Sequence, residues 1–177
     1  MRLDGKTAVV TGGGQGIGAA VARALADAGA SVLISGRTLS KLERLAEDLR
    51  QEGRNVWGAA CDVSDPAAIT RLAAVAKEKL GPVDILVNNA GIAESAPIAR
   101  TSLDDWEKML RINATGPFLC LQAFLPDMLE RKWGRVVNVA SVAGLEGARY
   151  IAAYVASKHA LVGLTRAAAA ELKGTGV

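Results

Sequence analysis

"TGGGQGIG" (residues 11–18) follows the β-branched run "KTAVVT" (6–11) and opens the helically spaced stretch "GIGAAVARALADAGA" (16–30). The order strand, glycine turn, helix decides the fold class. Five of the seven residues from 12 to 18 are glycine, which costs chain entropy and serves no obvious packing need. A turn of this kind lets backbone approach a pyrophosphate. The helix behind it supplies N–H groups and the positive end of a dipole. No Gly-Lys-Ser/Thr follows, so a P-loop is excluded. The competing reading, a tight turn with no ligand, leaves the glycines unexplained.

Working outward, the pattern alternates. "SVLISG" (31–36), "NVWGAACDV" (55–63), "VDILVNNAG" (83–91) and "GRVVNVASV" (134–142) read as four further strands. Between them lie a charge-laced helix over 39–52 and a helix from Ser64-Asp65-Pro66 to about Leu80. A capped helix follows near 103–111, then a long helix to about Lys132, expected to be disturbed at Pro117 and Pro126. A last helix spans 151–172, and Gly174 stops it. Five strands alternating with helices predict βαβ units: an α/β, Rossmann-type doubly wound parallel sheet with helices on both faces.

Composition narrows the function classes. The chain has 177 residues, half of them hydrophobic, 4% aromatic, with a net charge of +3. Small aliphatic residues suit a parallel sheet under closely packed helices. The signs interleave, as in Lys41-Leu42-Glu43-Arg44. There is no basic run and no aromatic–basic alternation, so nucleic acid is not an expected partner. No apolar run approaches a membrane span, and "MRLDGK" is not a signal peptide. Cys61 and Cys120 read as reduced core residues, not as a disulfide or metal pair. No metal site is expected, and a cytoplasmic location is.

The glycine spacing is not the plain G-x-G-x-x-G. Thr11, Gly12, Gly16 and Gly18 give T-G-x-x-x-G-x-G, which resembles the short-chain dehydrogenase/reductase family. "NNAG" (88–91) resembles a family signature at the end of the fourth strand. "YVASK" supplies Tyr154 and Lys158 in Y-x-x-x-K, Ser141 ends the fifth strand, and Asn113 stands in "INAT". The match runs through residues 1–177 in order. Within the family the chain is similar to 3-oxoacyl-thioester (ketoacyl) reductases.

The resemblance implies a nicotinamide cofactor held by Thr11, Gly12, Gln15, Gly16, Ile17, Gly18, Arg37, Asp62, Val63, Asn89, Ala90, Gly91, Tyr154 and Lys158. In Rossmann proteins an acidic residue at the end of the second strand binds the ribose of NAD, whereas Arg favours the 2′-phosphate of NADP. Here "SGRT" (35–38) places Arg37 there, with Ser35 and Thr38 as further donors. NADP is therefore the expected cofactor and NAD the alternative. Many NADP-binding relatives also carry a basic residue inside the glycine loop, where this chain has Gln15. Asp62 falls where relatives bind the adenine amino group, and it equally reads as a strand-end carboxylate capping a turn.

The resemblance also implies Asn113, Ser141, Tyr154 and Lys158 as catalytic residues. Four residues advance a helix by about 400°, so Tyr154 and Lys158 share a face within roughly 40°. An ammonium beside a phenol favours the phenolate. The implied reaction transfers a hydride between nicotinamide C4 and a carbonyl or secondary alcohol. Tyr154 serves as acid/base, Ser141 holds the oxygen, and Asn113 holds a water that relays protons to Lys158. The expected substrate is a 3-oxoacyl thioester or related ketone. An NAD-linked secondary alcohol or sugar dehydrogenase is the alternative. His159 lies about 140° around the helix from Tyr154 and reads as a packing or interface residue. Tyr150, with no Lys four residues on, reads as a pocket wall.

Relatives of this kind run to about 250 residues by family expectation. The chain accordingly reads as one dinucleotide-binding and catalytic domain, 1–177, C-terminally incomplete relative to the family. That leaves a third reading, a non-catalytic nucleotide-binding protein. A homodimer or homotetramer is expected through the long helices.

Overall fold

The computed structural model describes residues 2–177. Five parallel strands form one sheet: β1 (Thr7–Thr11), β2 (Ser31–Gly36), β3 (Val56–Ala60), β4 (Ile85–Asn88) and β5 (Arg135–Asn138). Their order across the sheet is β3-β2-β1-β4-β5. The chain winds outward from β1 to β3, then crosses back to lay β4 on the other side of β1. The carboxyl ends of β1 and β4 therefore flank the point where the winding reverses. Open α/β sheets bind ligands in the crevice at that point.

The helices are α1 (Gly16–Asp27), α2 (Leu39–Gln51), α3 (Pro66–Leu80), α4 (Leu103–Leu110), α5 (Gly116–Glu130) and α6 (Ala152–Glu171). Alternate strand residues bury opposite ways, because successive Cβ atoms point to opposite faces. Ala8, Val10, Val32 and Ile34 pack with Ala22 and Ala26 of α1 and Leu42, Ala46 and Leu49 of α2. Val9, Leu33 and Leu86 pack with Ile69 and Leu72 of α3 and Phe124 and Met128 of α5. The sheet is thus covered on both faces. Cys61 and Cys120 are free and buried in the second of these layers, and burial pushes their thiols up to about 11 and about 12.

Local chemistry explains the helix ends. Gly29, at φ +100°, follows α1 in a backbone conformation that L side chains rarely adopt. The Asp65 carboxylate accepts the Ala67 N–H, with Pro66 opening α3. Ser102 Oγ accepts from the Asp105 N–H at 3.0 Å and fixes the start of α4. β3, β4 and β5 are shorter than the runs that predict them, whereas β2 coincides with its run.

The long helix does not break at either proline. Pro126 lies inside α5 and Pro117 in its first turn. The irregularity precedes Pro117, as a π-helical turn over Arg111–Thr115 in which the Gly116 N–H reaches the Arg111 carbonyl. Pro117 has no N–H to offer the carbonyl four residues earlier, that of Asn113, so the wider turn forms just upstream.

At the amino-terminal edge of the sheet, Asp84 joins three elements. Its carboxylate accepts from the Thr7 N–H at 3.2 Å and from Arg131 Nη1 at 2.6 Å. Arg131 also donates to the Val83 carbonyl at 2.6 Å. Asp84→Ala leaves these donors unpaired in a mostly buried place. It is expected to lower the unfolding free energy by about 1–3 kcal/mol, read from urea denaturation. A change within about 0.5 kcal/mol, as for an ordinary surface substitution, would show that the junction is idle.

Candidate active site

The loops after β1 and β4 meet at the reversal point and are bonded to each other. Thr11 Oγ1 accepts from the N–H groups of Asn89 and Ala90, each at 3.1 Å. The Asn89 side-chain amide donates back to the carbonyls of Thr11 and Gly12, at 3.0 and 3.1 Å. The approach is so close that only glycine fits. A Cβ on Gly18 would collide with the Gly12 carbonyl and the Asn89 amide. Gly12 itself has φ +66° and no room for a Cβ either.

A cavity of about 450 Å³ opens over this junction. Gly12, Gln15, Gly16, Ile17 and Gly18 form one side, and Arg37 and Thr38 close one end. Asp62 and Val63 line it from beyond β3, and Asn89, Ala90, Gly91 and Ile92 form the far side. The start of α1 faces it. Gln15 gives the helix no side-chain cap and the first turn holds no acidic residue. The positive end of the dipole is left for an anion.

Of the predicted cofactor contacts, Tyr154 and Lys158 are not among the residues lining this cavity, and Thr11 and Ser35 at the strand ends are also placed differently. Thr11 is only 1% exposed and lies outside the cavity wall, its hydroxyl spent on the Asn89–Ala90 turn. Ser35 is fully buried, with its Oγ unpartnered, so it offers no donor beside Arg37. The alternation that points Ile34 toward α2 points Ser35 into the opposite layer. Thr38 and Arg37 stay on the cavity surface. Asp62 does cap its own turn, accepting from the Ser64 N–H and hydroxyl at 2.9 and 2.7 Å. Those bonds, then the charge of Arg37, hold its carboxyl below the usual carboxylate range. It lines the cavity at the same time.

The Gly91–Ile92 end of the cavity leads to the second group of predicted residues. Asn113, in the π-helical turn, accepts from the Ile92 N–H at 2.9 Å and donates to the Ile92 carbonyl at 2.8 Å. A Cβ on Gly91 would stand 3.1 Å from Asn113 Oδ1 and 3.8 Å from Lys158 Nζ. Lys158 is buried and donates to the Val139 carbonyl at 2.8 Å. Its ammonium lies 5.7 Å from the centre of the Tyr154 ring, as the one-turn spacing requires. Ser141 caps a short 3₁₀ turn, its Oγ accepting from the Ala143 N–H at 3.2 Å. Its own O–H remains available. His159 is exposed, with Nδ1 at 3.0 Å from the Val155 carbonyl.

Sequence reasoning passed over Ser157. It is fully buried, donates to the Tyr154 carbonyl at 2.8 Å and receives Asn113 Nδ2 at 3.0 Å. It thereby bolts the π-helical turn to the helix carrying Tyr154 and Lys158. Its signal was a polar residue on the inward face of an Ala-rich helix.

A parallel sheet with a glycine-lined crevice at its reversal point defines a Rossmann-type dinucleotide-binding protein. The sequence matches the short chain dehydrogenase family model over residues 6–177. A short chain dehydrogenase of Pseudocercospora fijiensis is 43% identical over 99% of this chain and 58% of its own length. D-threitol dehydrogenase of Mycolicibacterium smegmatis is 43% identical over 99% of this chain and 68% of its own. The crystal structure of an actinorhodin polyketide ketoreductase with NADPH superposes with a TM-score of 0.94 at 38% identity, covering 99% of this chain and 69% of that one. The chain belongs to the short-chain dehydrogenase family, and it spans 58–68% of the length of these two curated relatives.

Burial pushes the Lys158 ammonium below the usual lysine pKa. Between its folded and unfolded pKa values the unfolded chain binds more protons, so stability rises with pH there. In urea titrations the wild type should therefore gain unfolding free energy relative to Lys158→Met as pH is raised from about 7 to about 10. Parallel pH curves for the two proteins would contradict this.

Proposed function

We propose that the chain is the dinucleotide-binding and catalytic part of an NADP-dependent oxidoreductase that reduces a ketone, of which a 3-oxoacyl thioester is the leading candidate. The observation that carries this reading is the continuity of the site. A cavity fit for a dinucleotide ends at Ile92, which is bonded on both sides to Asn113, and Asn113 leads through Ser157 to Tyr154 and Lys158.

The fit to the cofactor rests on the glycine floor, where Gly12 and Gly18 leave no room for a Cβ against the Asn89 loop, the uncapped start of α1 and the cation at the end of β2. Gly12 and Gln15 to Gly18 would hold the pyrophosphate, Arg37 the 2′-phosphate, Asp62 and Val63 the adenine, and Asn89 to Gly91 the ribose. When bound, the nicotinamide ring supplies the hydride. In the reducing direction Tyr154 gives its phenolic proton to the carbonyl oxygen. Ser141 donates its hydroxyl to the same oxygen and stabilises developing charge. Lys158 holds a positive charge beside the phenol, with its stem fixed by the bond to Val139. Asn113 positions the water that returns a proton toward Lys158. Ser157 keeps Asn113 and the start of α6 in one geometry.

An apolar substrate is supported by Val142, Leu145 and Tyr150, which are 70, 64 and 58% exposed in the segment between Ser141 and Tyr154. The likeness to D-threitol dehydrogenase favours a second reading, oxidation of a secondary alcohol or polyol, for which NAD is the alternative cofactor. Exposed Trp106 and Phe118, on α4 and α5, support assembly into a homodimer or homotetramer. Among the described residues no helix is long and apolar enough to cross a membrane.

The test is NADPH oxidation against a panel of 3-oxoacyl thioesters and ketones, with NAD and polyols in the reverse assay. Turnover on the first panel is expected, and turnover on the second alone would establish the alternative. Tyr154→Phe should lower kcat by about 10²–10⁴-fold while NADPH still binds. Full turnover by this variant would remove Tyr154 from the reaction. Ser157→Ala is expected to lower kcat about tenfold or more with KM little changed, because it loosens geometry rather than removing a reacting group. An unchanged kcat would leave Ser157 as packing only.

A further inference from the structure

The loop position where NADP-binding relatives carry a cation holds Gln15, and the structure brings a cation to it from elsewhere. Lys41, in the first turn of α2, lines the same end of the cavity as Arg37 and Thr38. Its Nζ donates to Gln15 Oε1 at 3.4 Å, spanning from the start of α2 to the glycine loop. Among the described residues neither Lys41 nor Arg37 has a carboxylate within ion-pair distance, whereas Arg50, farther along α2, pairs with Glu47 and Arg23 of α1 pairs with Glu52.

The position is electrostatically unfavourable for a lysine. The first turn of a helix favours anions and disfavours cations. The first turn of α2 holds no acidic residue, and Thr38 gives it no side-chain cap. The dipole end, Arg37 and Lys41 therefore add positive potential in one place, where the one carboxylate of the cavity wall, Asp62, is bonded to Ser64 and forms an ion pair with neither cation. Two cations converging on a helix start make a site for a multiply charged anion.

We propose that Lys41 is a second cation of the 2′-phosphate subsite, carried to the glycine loop by Gln15, so that the Gln15–Lys41 pair replaces a basic residue in that loop. Lys41 is thus a determinant of NADP over NAD. Arg37 supplies the planar fork and Lys41 a point charge. The inference rests on the NADP reading above, and the experiment separates the two.

NADPH, NADH, adenosine 2′,5′-bisphosphate and 5′-AMP are titrated by calorimetry into the wild type, Lys41→Met, Arg37→Ala and the double variant Gln15→Lys/Lys41→Met. Lys41→Met should weaken NADPH and the bisphosphate about 5–20-fold and change NADH and 5′-AMP less than about twofold. The double variant should regain most of the lost NADPH affinity. Equal weakening of NADPH and NADH by Lys41→Met, or no weakening of either, overturns the proposal. If Lys41→Met has no effect while Arg37→Ala removes the preference, the NADP reading stands and the role of Lys41 falls. If the wild type binds NADH as tightly as NADPH, both fall together.

Discussion

The bonds between Thr11 and Asn89 hold the site together. Two loops 78 residues apart in sequence exchange hydrogen bonds in both directions at the point where the sheet reverses its winding. The donors and acceptors are buried or nearly so, and all of them are satisfied, the condition under which a polar junction fixes one geometry. That junction forces glycine at 12 and 18. It also sets the path of Ala90 to Ile92, and Ile92 sets Asn113. From Asn113 the constraint passes through Ser157 to α6. The dinucleotide cavity and the Tyr154–Lys158 pair are therefore two ends of one hydrogen-bonded structure.

Most of the architecture was legible in the sequence, because the signals are local. The alternation of apolar runs with amphipathic ones gave five strands and their helices. Pro66 marked a helix start by stereochemistry alone. Three things were not legible. Which face Ser35 takes depends on strand register, and a serine reads the same pointing in or out. Thr11 stands in a family motif, but its hydroxyl works behind the loop, a role visible only once β4 is laid beside β1. The disturbance expected at Pro117 and Pro126 occurs instead as a π-helical turn before Pro117, since a helix can absorb a missing N–H by widening locally. Lys41 and Ser157 escaped for a related reason. Each acts on a residue distant in sequence, and neither belongs to a spacing pattern.

The two unusual cations share a logic. Lys158 is buried with a carbonyl as its hydrogen-bond partner, and Lys41 sits where the helix dipole opposes it. Local preferences are broken at both ends of the cavity, while the sheet and its covering helices obey them. Sites of chemistry are where such conflicts are expected to concentrate.

The π-helical turn has a consequence for how the chain can change length. It fits one residue more into the turn than an α-helix would, and one residue is about 100° of rotation. Deleting any residue between Arg111 and Thr115 would let α4 run on into α5 as regular helix and turn everything after it by that angle. Phe124 and Met128 would swing away from the sheet, and Asn113 away from Ile92. The extra residue acts as a phase shift that lets one helix present α4, Asn113 and the buried side of α5 to three different neighbours. The length of this stretch cannot drift.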